Sequence, residues 1–137
     1  MLLRLQTMLA LLTLPLAACS RQERLVGLWE QCEDLTCTRP LGKAFVFTND
    51  GLTYVATDGG DPFDVPEGQY CRTTRPNSTY EIQGRDIVLV FPDRTTKRFP
   101  FTVDKQFLTM EGAGHSGETL RFKRVMNSGE LPPTCMN

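Results

Sequence analysis

One histidine occurs in the 137-residue chain. His115 stands beside Ser116 in "EGAGHSGE", where a hydroxyl and an imidazole side by side would suggest nucleophilic chemistry. A nucleophile elbow, however, needs Gly-X-Ser-X-Gly on a strand-turn-helix corner. Glu118 stands where the second glycine belongs, and Gly112, Gly114 and Gly117 read as a turn. An adjacent imidazole also turns back poorly onto its neighbour's hydroxyl. Asp58, Asp61, Asp64 and Glu67 recur every third residue in "DGGDPFDVPEG". Oxygen ligands in a loop suit Ca²⁺, but the EF-hand spacing of alternate acids closed by a bidentate Glu is missing, so a solvated loop is the plainer reading. "NST" at 77–79 reads as a turn. In "FPDRTTKRFPF", Arg94, Lys97 and Arg98 are interleaved with aromatics. They would serve either to hold an acidic partner or lipid headgroup, or as a basic outer face of a strand. The expectation is a non-enzyme with no catalytic residue, no metal and no cofactor.

The five cysteines carry more information. Arg4 followed by the apolar run from Leu9 to Leu16 and small Ala17-Ala18 has the form of an export signal. At roughly 11 residues the run from Met8 is far short of the ~20 needed to span a bilayer. Leu16-Ala17-Ala18-Cys19 resembles the lipobox of bacterial lipoproteins. That resemblance implies cleavage before Cys19, diacylation of its thiol and acylation of the new amine. Several acyl chains hold a membrane firmly where one does not. Ser20, rather than Asp, after the cysteine implies sorting to the outer membrane, with the domain expected in the periplasm.

Lipidation of Cys19 leaves Cys32, Cys37, Cys71 and Cys135. An even number in an exported chain indicates two disulfides in one of three connectivities. The favoured set is Cys32–Cys37, closing a local loop, with Cys71–Cys135, tying the tail "GELPPTCMN" to the domain. If Cys32 and Cys37 were instead a soft-metal pair they would have to stay reduced, which an oxidising compartment opposes. A remaining chain of about 120 residues supports one modest core. The net charge of −1 with interspersed signs gives no case for nucleic acid.

The elements that must position these residues read as short strands between turns. "LVGLWEQ" is followed by "KAFVFT", the hairpin signal Asp50-Gly51 and "LTYVAT". "QYCRTT", "STYEIQ", "DIVLVF", "TTKRFPFTV", "FLTMEG" and "ETLRFKRV" follow, with no 3.6-residue apolar stripe. Eight or nine strands with turns about every 10 residues predict an all-β barrel or sandwich. A meander closing on itself would hide its edges.

Gly27-Leu28-Trp29 on the first strand, with Arg121, Lys123 and Arg124 on the last, resembles the lipocalin-like (calycin) architecture in its small bacterial forms. "FVFTNDGLTYV", "YEIQGRDIVLVF" and "LRFKRV" share its rhythm of strand, glycine turn and strand. The resemblance implies a small antiparallel up-and-down β-barrel of about eight strands. In it an indole plugs the floor, and a basic residue from the last strand covers the indole. Trp29 and Arg124 are the expected closing pair, with Arg121 the next choice, and a guanidinium over an indole adds about 0.5–2 kcal/mol. The lipocalin disulfide from a mid-barrel strand to the tail corresponds to Cys71–Cys135. The chain departs from lipocalins in being short and in lacking a helix beside the barrel.

The expected layout is a signal peptide over 1–18, a lipidated tether over 19–24, the barrel over 25–125 and a disulfide-pinned tail over 126–137. The expected function is that of a monomeric, lipid-anchored outer-membrane protein. Its barrel binds a small apolar or amphipathic ligand, with Phe45, Phe47, Tyr54, Phe99, Phe101 and Phe107 as lining. The alternative is an envelope lipoprotein whose loops bind a protein, as an inhibitor, an immunity protein or an accessory of an envelope complex. An open cavity favours the first and a filled barrel the second.

Overall fold

The computed structural model describes residues 22–127 and 130–136, so the signal, the lipobox and Cys19 lie outside the described residues. Nine strands form one antiparallel sheet: β1 (Gly27–Cys32), β2 (Pro40–Phe47), β3 (Leu52–Asp58), β4 (Tyr70–Arg72), β5 (Ser78–Gln83), β6 (Asp86–Val90), β7 (Thr96–Val103), β8 (Phe107–Met110) and β9 (Leu120–Met126). Eight of them run in the order β2-β1-β9-β8-β7-β6-β5-β3, and β3 pairs back onto β2. The result is a closed eight-stranded antiparallel barrel consistent with a lipocalin-like domain. The short β4 lies outside the ring, paired only to β3.

Turn chemistry sets the meander. Thr48 to Gly51 makes the β2–β3 hairpin: Gly51 takes φ 83°, a conformation open to glycine, and the Thr48 hydroxyl accepts the Leu52 N–H at 3.0 Å. Asp93 and Asp104 do the same for later turns by accepting backbone N–H groups of Thr95 and of Gln106 and Phe107. Each short acidic side chain thereby satisfies donors that no strand partner reaches.

The register decides which apolar residues enter the barrel. Phe45 opposes Trp29 and Val55, and Phe47 opposes Gly27 and Thr53, so the odd-numbered residues of β2 and β3 point inward. The inner core comprises Leu25, Trp29, Phe47, Tyr80, Ile87, Phe101, Leu108, Met110 and Phe122. An eight-stranded barrel is just wide enough for such side chains to fill. The even-numbered residues build a second cluster on the outer wall, of Leu28, Ala44, Val46, Tyr54 and Ala56.

The C-terminal tail lies along β4, outside the ring. Arg72 N–H donates to Pro133 O and Arg72 O accepts from Cys135 N–H, both at 2.8 Å. The Cys71–Cys135 disulfide locks the contact, and Cys32–Cys37 closes the loop between β1 and β2. Of the three connectivities open to four cysteines, this is the favoured one.

One element differs from the sequence reading. Residues 22–24, expected as tether, form with Leu25 a single helical turn closed by Val26 N–H to Gln22 O at 3.2 Å. Four residues are too few to show a 3.6-residue pattern, so hydrophobic periodicity is blind to it. Leu25 is fully buried under the barrel.

Candidate functional site

The two ends of the barrel differ in chemistry. At the closed end, Trp29 is 0 % exposed and its indole N–H donates to Leu25 O at 2.8 Å. The Arg124 guanidinium lies 4.1 Å from the indole ring centre. It also donates to Val26 O, Lys105 O and Arg24 O. The structure thus brings together Trp29 and Arg124, and it ties the helical turn, β1 and the β7–β8 turn into one floor. Gly27 is required there: it has φ 142°, and a Cβ would be driven into the Met126 carbonyl. Desolvation pulls the Arg124 pKa down, offset in part by the Asp104 carboxylate. Arg121 takes a different place, stacked 4.2 Å over Phe107 on the outer wall, with Nη1 donating to Leu35 O at 2.8 Å.

The upper half holds a cavity of about 210 Å³, lined by Phe45, Phe47, Thr53, Asn77, Leu89, Phe91, Lys97, Phe99, Met110, Ala113, Leu120 and Phe122. Its wall is aromatic and aliphatic, with Thr53, Asn77 and Lys97 as the polar groups. Lys97 is the single charged residue in it. Lys97 points inward because it opposes Leu89, which itself opposes Tyr80 of the inner core. Below the cavity Phe47 meets Tyr80 edge to face, and the Tyr80 hydroxyl donates to Thr48 O at 2.5 Å. Burial pushes the Tyr80 pKa up to about 12, with the Asp50 carboxylate adding to the rise. The barrel is therefore filled at its floor and open at its mouth.

Of the six residues expected to line the cavity, Phe45, Phe47 and Phe99 do so. Phe101 is buried in the inner core but lies outside the cavity lining. Two expectations are corrected. Tyr54 faces the outer cluster with the Arg72 guanidinium 4.8 Å over its ring, because β3 directs its odd-numbered residues inward. Phe107 opposes Lys123 and lies under Arg121, one register step from the inward-facing Leu108. Sequence reasoning passed over Asn77, Leu89, Phe91, Ala113 and Leu120 as cavity residues. Asn77, Phe91 and Ala113 come from loops, where alternation gives no signal, and Leu89 and Leu120 needed the pairing register.

The basic strand divides between the two expected roles. Arg98 faces outward and pairs with Asp86 at 3.1 Å and with Gln83 at 2.6 Å. Arg94 occupies the β6–β7 turn at φ 69°. Lys97 alone reaches the cavity. Next to the cavity lies an open notch of about 580 Å³ between residues 73–77 and the 91–95 turn, and Asn77, Phe91 and Lys97 line both spaces.

The remaining chemical candidates sit apart from the cavity. Asp58 accepts the Gly68 N–H at 3.0 Å and so closes its own loop, while Asp61, Asp64 and Glu67 are exposed. Among the described residues, no three His, Cys, Asp or Glu side chains come together as a metal site. His115 and Ser116 are exposed on a loop in which Glu118 accepts the Ser116 N–H at 2.9 Å. No family model matches the chain, and no curated protein matches it.

Proposed function

We propose that the protein binds one small apolar or amphipathic molecule in the upper half of its barrel, as a lipid-anchored, non-catalytic protein of the outer membrane. The observation that carries this reading is the cavity itself. Phe45, Phe47, Phe99 and Phe122 line it, yet the same barrel packs Trp29, Ile87 and Leu108 to complete burial below. A fold that needed only stability would fill both halves, because unfilled core volume costs stability. The volume of about 210 Å³ is below the roughly 300–1,000 Å³ of pockets for drug-sized molecules. A single alkyl chain or one ring suits it, and a two-chain lipid does not.

The lipid anchor rests on the Leu16-to-Cys19 lipobox resemblance. Gln22 lies three positions after Cys19 and begins the helical turn under the floor. An anchored chain would therefore turn its closed end to the bilayer and its mouth to the aqueous side. The periplasmic face of the outer membrane is the location this reading takes.

The second reading, a protein partner held by the loops, is favoured by one observation. Leu35, in the loop closed by Cys32–Cys37, is 53 % exposed, and Leu41 is also exposed.

Native mass spectrometry of the Cys19→Ser chain exported to the periplasm tests the two. A co-purified small mass released on denaturation supports the barrel ligand. An apo mass that stays apo after challenge with short-chain amphiphiles contradicts it.

A further inference from the structure

We infer that Lys97 is the head-group anchor of the barrel, and that the notch beside it selects ligands carrying an anionic head on one alkyl chain. This deepens the barrel-ligand reading above and rests on it. Three observations converge. Lys97 is the charged member of an otherwise apolar and neutral cavity lining. Its ammonium lies 5.5 Å from the Phe91 ring centre, and among the described residues it makes no ion pair within 4.0 Å. The nearby carboxylate, Asp93, is engaged by the Thr95 N–H at 2.9 Å and the Thr95 hydroxyl at 2.6 Å. Lys97 contributes to holding the Asp93 pKa down, behind those hydrogen bonds.

The geometry separates tail from head. The apolar cavity ends at Asn77, Phe91 and Lys97, and beyond that sill the notch adds Thr73, Arg75, Asp93 and Thr95. An alkyl chain directed down the barrel leaves its polar end at the sill. Lys97 and Arg75 then offer charge to it, and the Asn77 side-chain amide offers a hydrogen bond, while both Thr95 donors stay with Asp93. A cationic head would meet Lys97 and Arg75 against the one Asp93 carboxylate, which Thr95 already engages, and a neutral head would forfeit the charge-assisted hydrogen bond. Carboxylate and phosphate heads share the required chemistry.

The experiment is calorimetric titration of the exported Cys19→Ser chain, below micelle-forming concentrations, with four ten-carbon probes: decanoate, decyl phosphate, decanol and decyltrimethylammonium. Decanoate, decyl phosphate or both should bind at least tenfold more tightly than decanol, with the cation weaker still; a tenfold ratio is about 1.4 kcal/mol. Whichever anion binds better assigns the head as carboxylate or phosphate. Lys97→Met should remove the preference, with neither anion then binding more tightly than decanol does, and Lys97→Arg should keep it. Lys97→Gln serves if the Met variant does not fold. Decanol binding as tightly as both anions, or Lys97→Met leaving their affinity intact, overturns the head-group assignment but keeps the barrel-ligand reading. Failure of all four probes to bind overturns both.

Discussion

The Arg124 guanidinium sits 4.1 Å above the Trp29 ring while donating to three backbone carbonyls, those of Arg24, Val26 and Lys105. It is a staple across the closed end of the barrel, joining the first strand, the last strand and the chain that leads into the fold. Arg124→Ala removes the cation–π contact and these charge-assisted bonds together, so it should cost about 2–3 kcal/mol. Arg124→Lys keeps the charge but not the planar fork and should recover less than half of that. Urea unfolding followed by the fluorescence of Trp29 measures both. A loss under about 0.5 kcal/mol for the alanine variant, the size of an ordinary surface substitution, would remove the floor staple from this account.

The two disulfides should differ in worth. Cys71–Cys135 spans 64 positions and Cys32–Cys37 spans 5, which in the chain-entropy model gives about 4 and about 2 kcal/mol. The longer bond also holds the tail against Arg72 and beside Leu28 and Tyr70. The Cys71→Ala/Cys135→Ala pair should therefore lower the unfolding midpoint more than the Cys32→Ala/Cys37→Ala pair, and should alone raise binding of a hydrophobic dye to the native state. Equal losses would show that the tail adds nothing to the barrel.

Stability should fall at alkaline pH through two tyrosines. Burial raises the Tyr80 pKa to about 12. Burial also raises that of Tyr70, together with the hydrogen bond it donates to the Glu30 carboxylate at 2.9 Å. An unfolded tyrosine ionises near pH 10. Below that pH both states are protonated, and the contribution is fully present. Above it the unfolded chain holds fewer protons, so stability declines as pH rises toward the folded values. Chemical denaturation between pH 9 and 12 should show the decline, and Tyr80→Phe should flatten it. An unchanged slope in that variant would place the titration elsewhere.

Ala113 lines the cavity from the loop between β8 and β9. Ala113→Trp should fill the mouth and abolish binding of a ten-carbon amphiphile. The unfolding midpoint should change little, because the residue lies outside the sheet and no strand pairing depends on it. Titration calorimetry and urea unfolding on the same sample check both halves. Retained affinity would contradict the position of the ligand.

The strands were legible in the sequence because turns such as Asp50-Gly51 punctuate them, and all nine apolar segments became strands. The inward face was less legible. In β2, Ala44 and Val46 are as buried as Phe47, because Leu28, Tyr54, Ala56, Leu52, Tyr70 and Met126 pack with them into a second apolar cluster on the outer wall. With both faces apolar, alternation loses its direction, and Tyr54 was read inward for that reason. Phe107 failed differently: its ring is covered by Arg121, so an aromatic residue is sheltered without entering the core. Lys97 was visible as a cation among aromatics, but only the pairing of Lys97 with Leu89 separates it from outward-facing Arg98. The closing pair was more accessible, since a lone tryptophan after glycine and a cation on the last strand are local features.

The most direct test of the barrel as a binding site is an amide NMR titration of the exported Cys19→Ser chain with decanoate. The expected result is a set of shifts at Thr53, Asn77, Leu89, Lys97 and Ala113, saturating together, with Leu28, Tyr70 and Leu131 on the outer wall unmoved. Shifts confined to that outer wall, or a spectrum unchanged to the solubility limit of decanoate, would contradict the claim that the barrel holds the ligand.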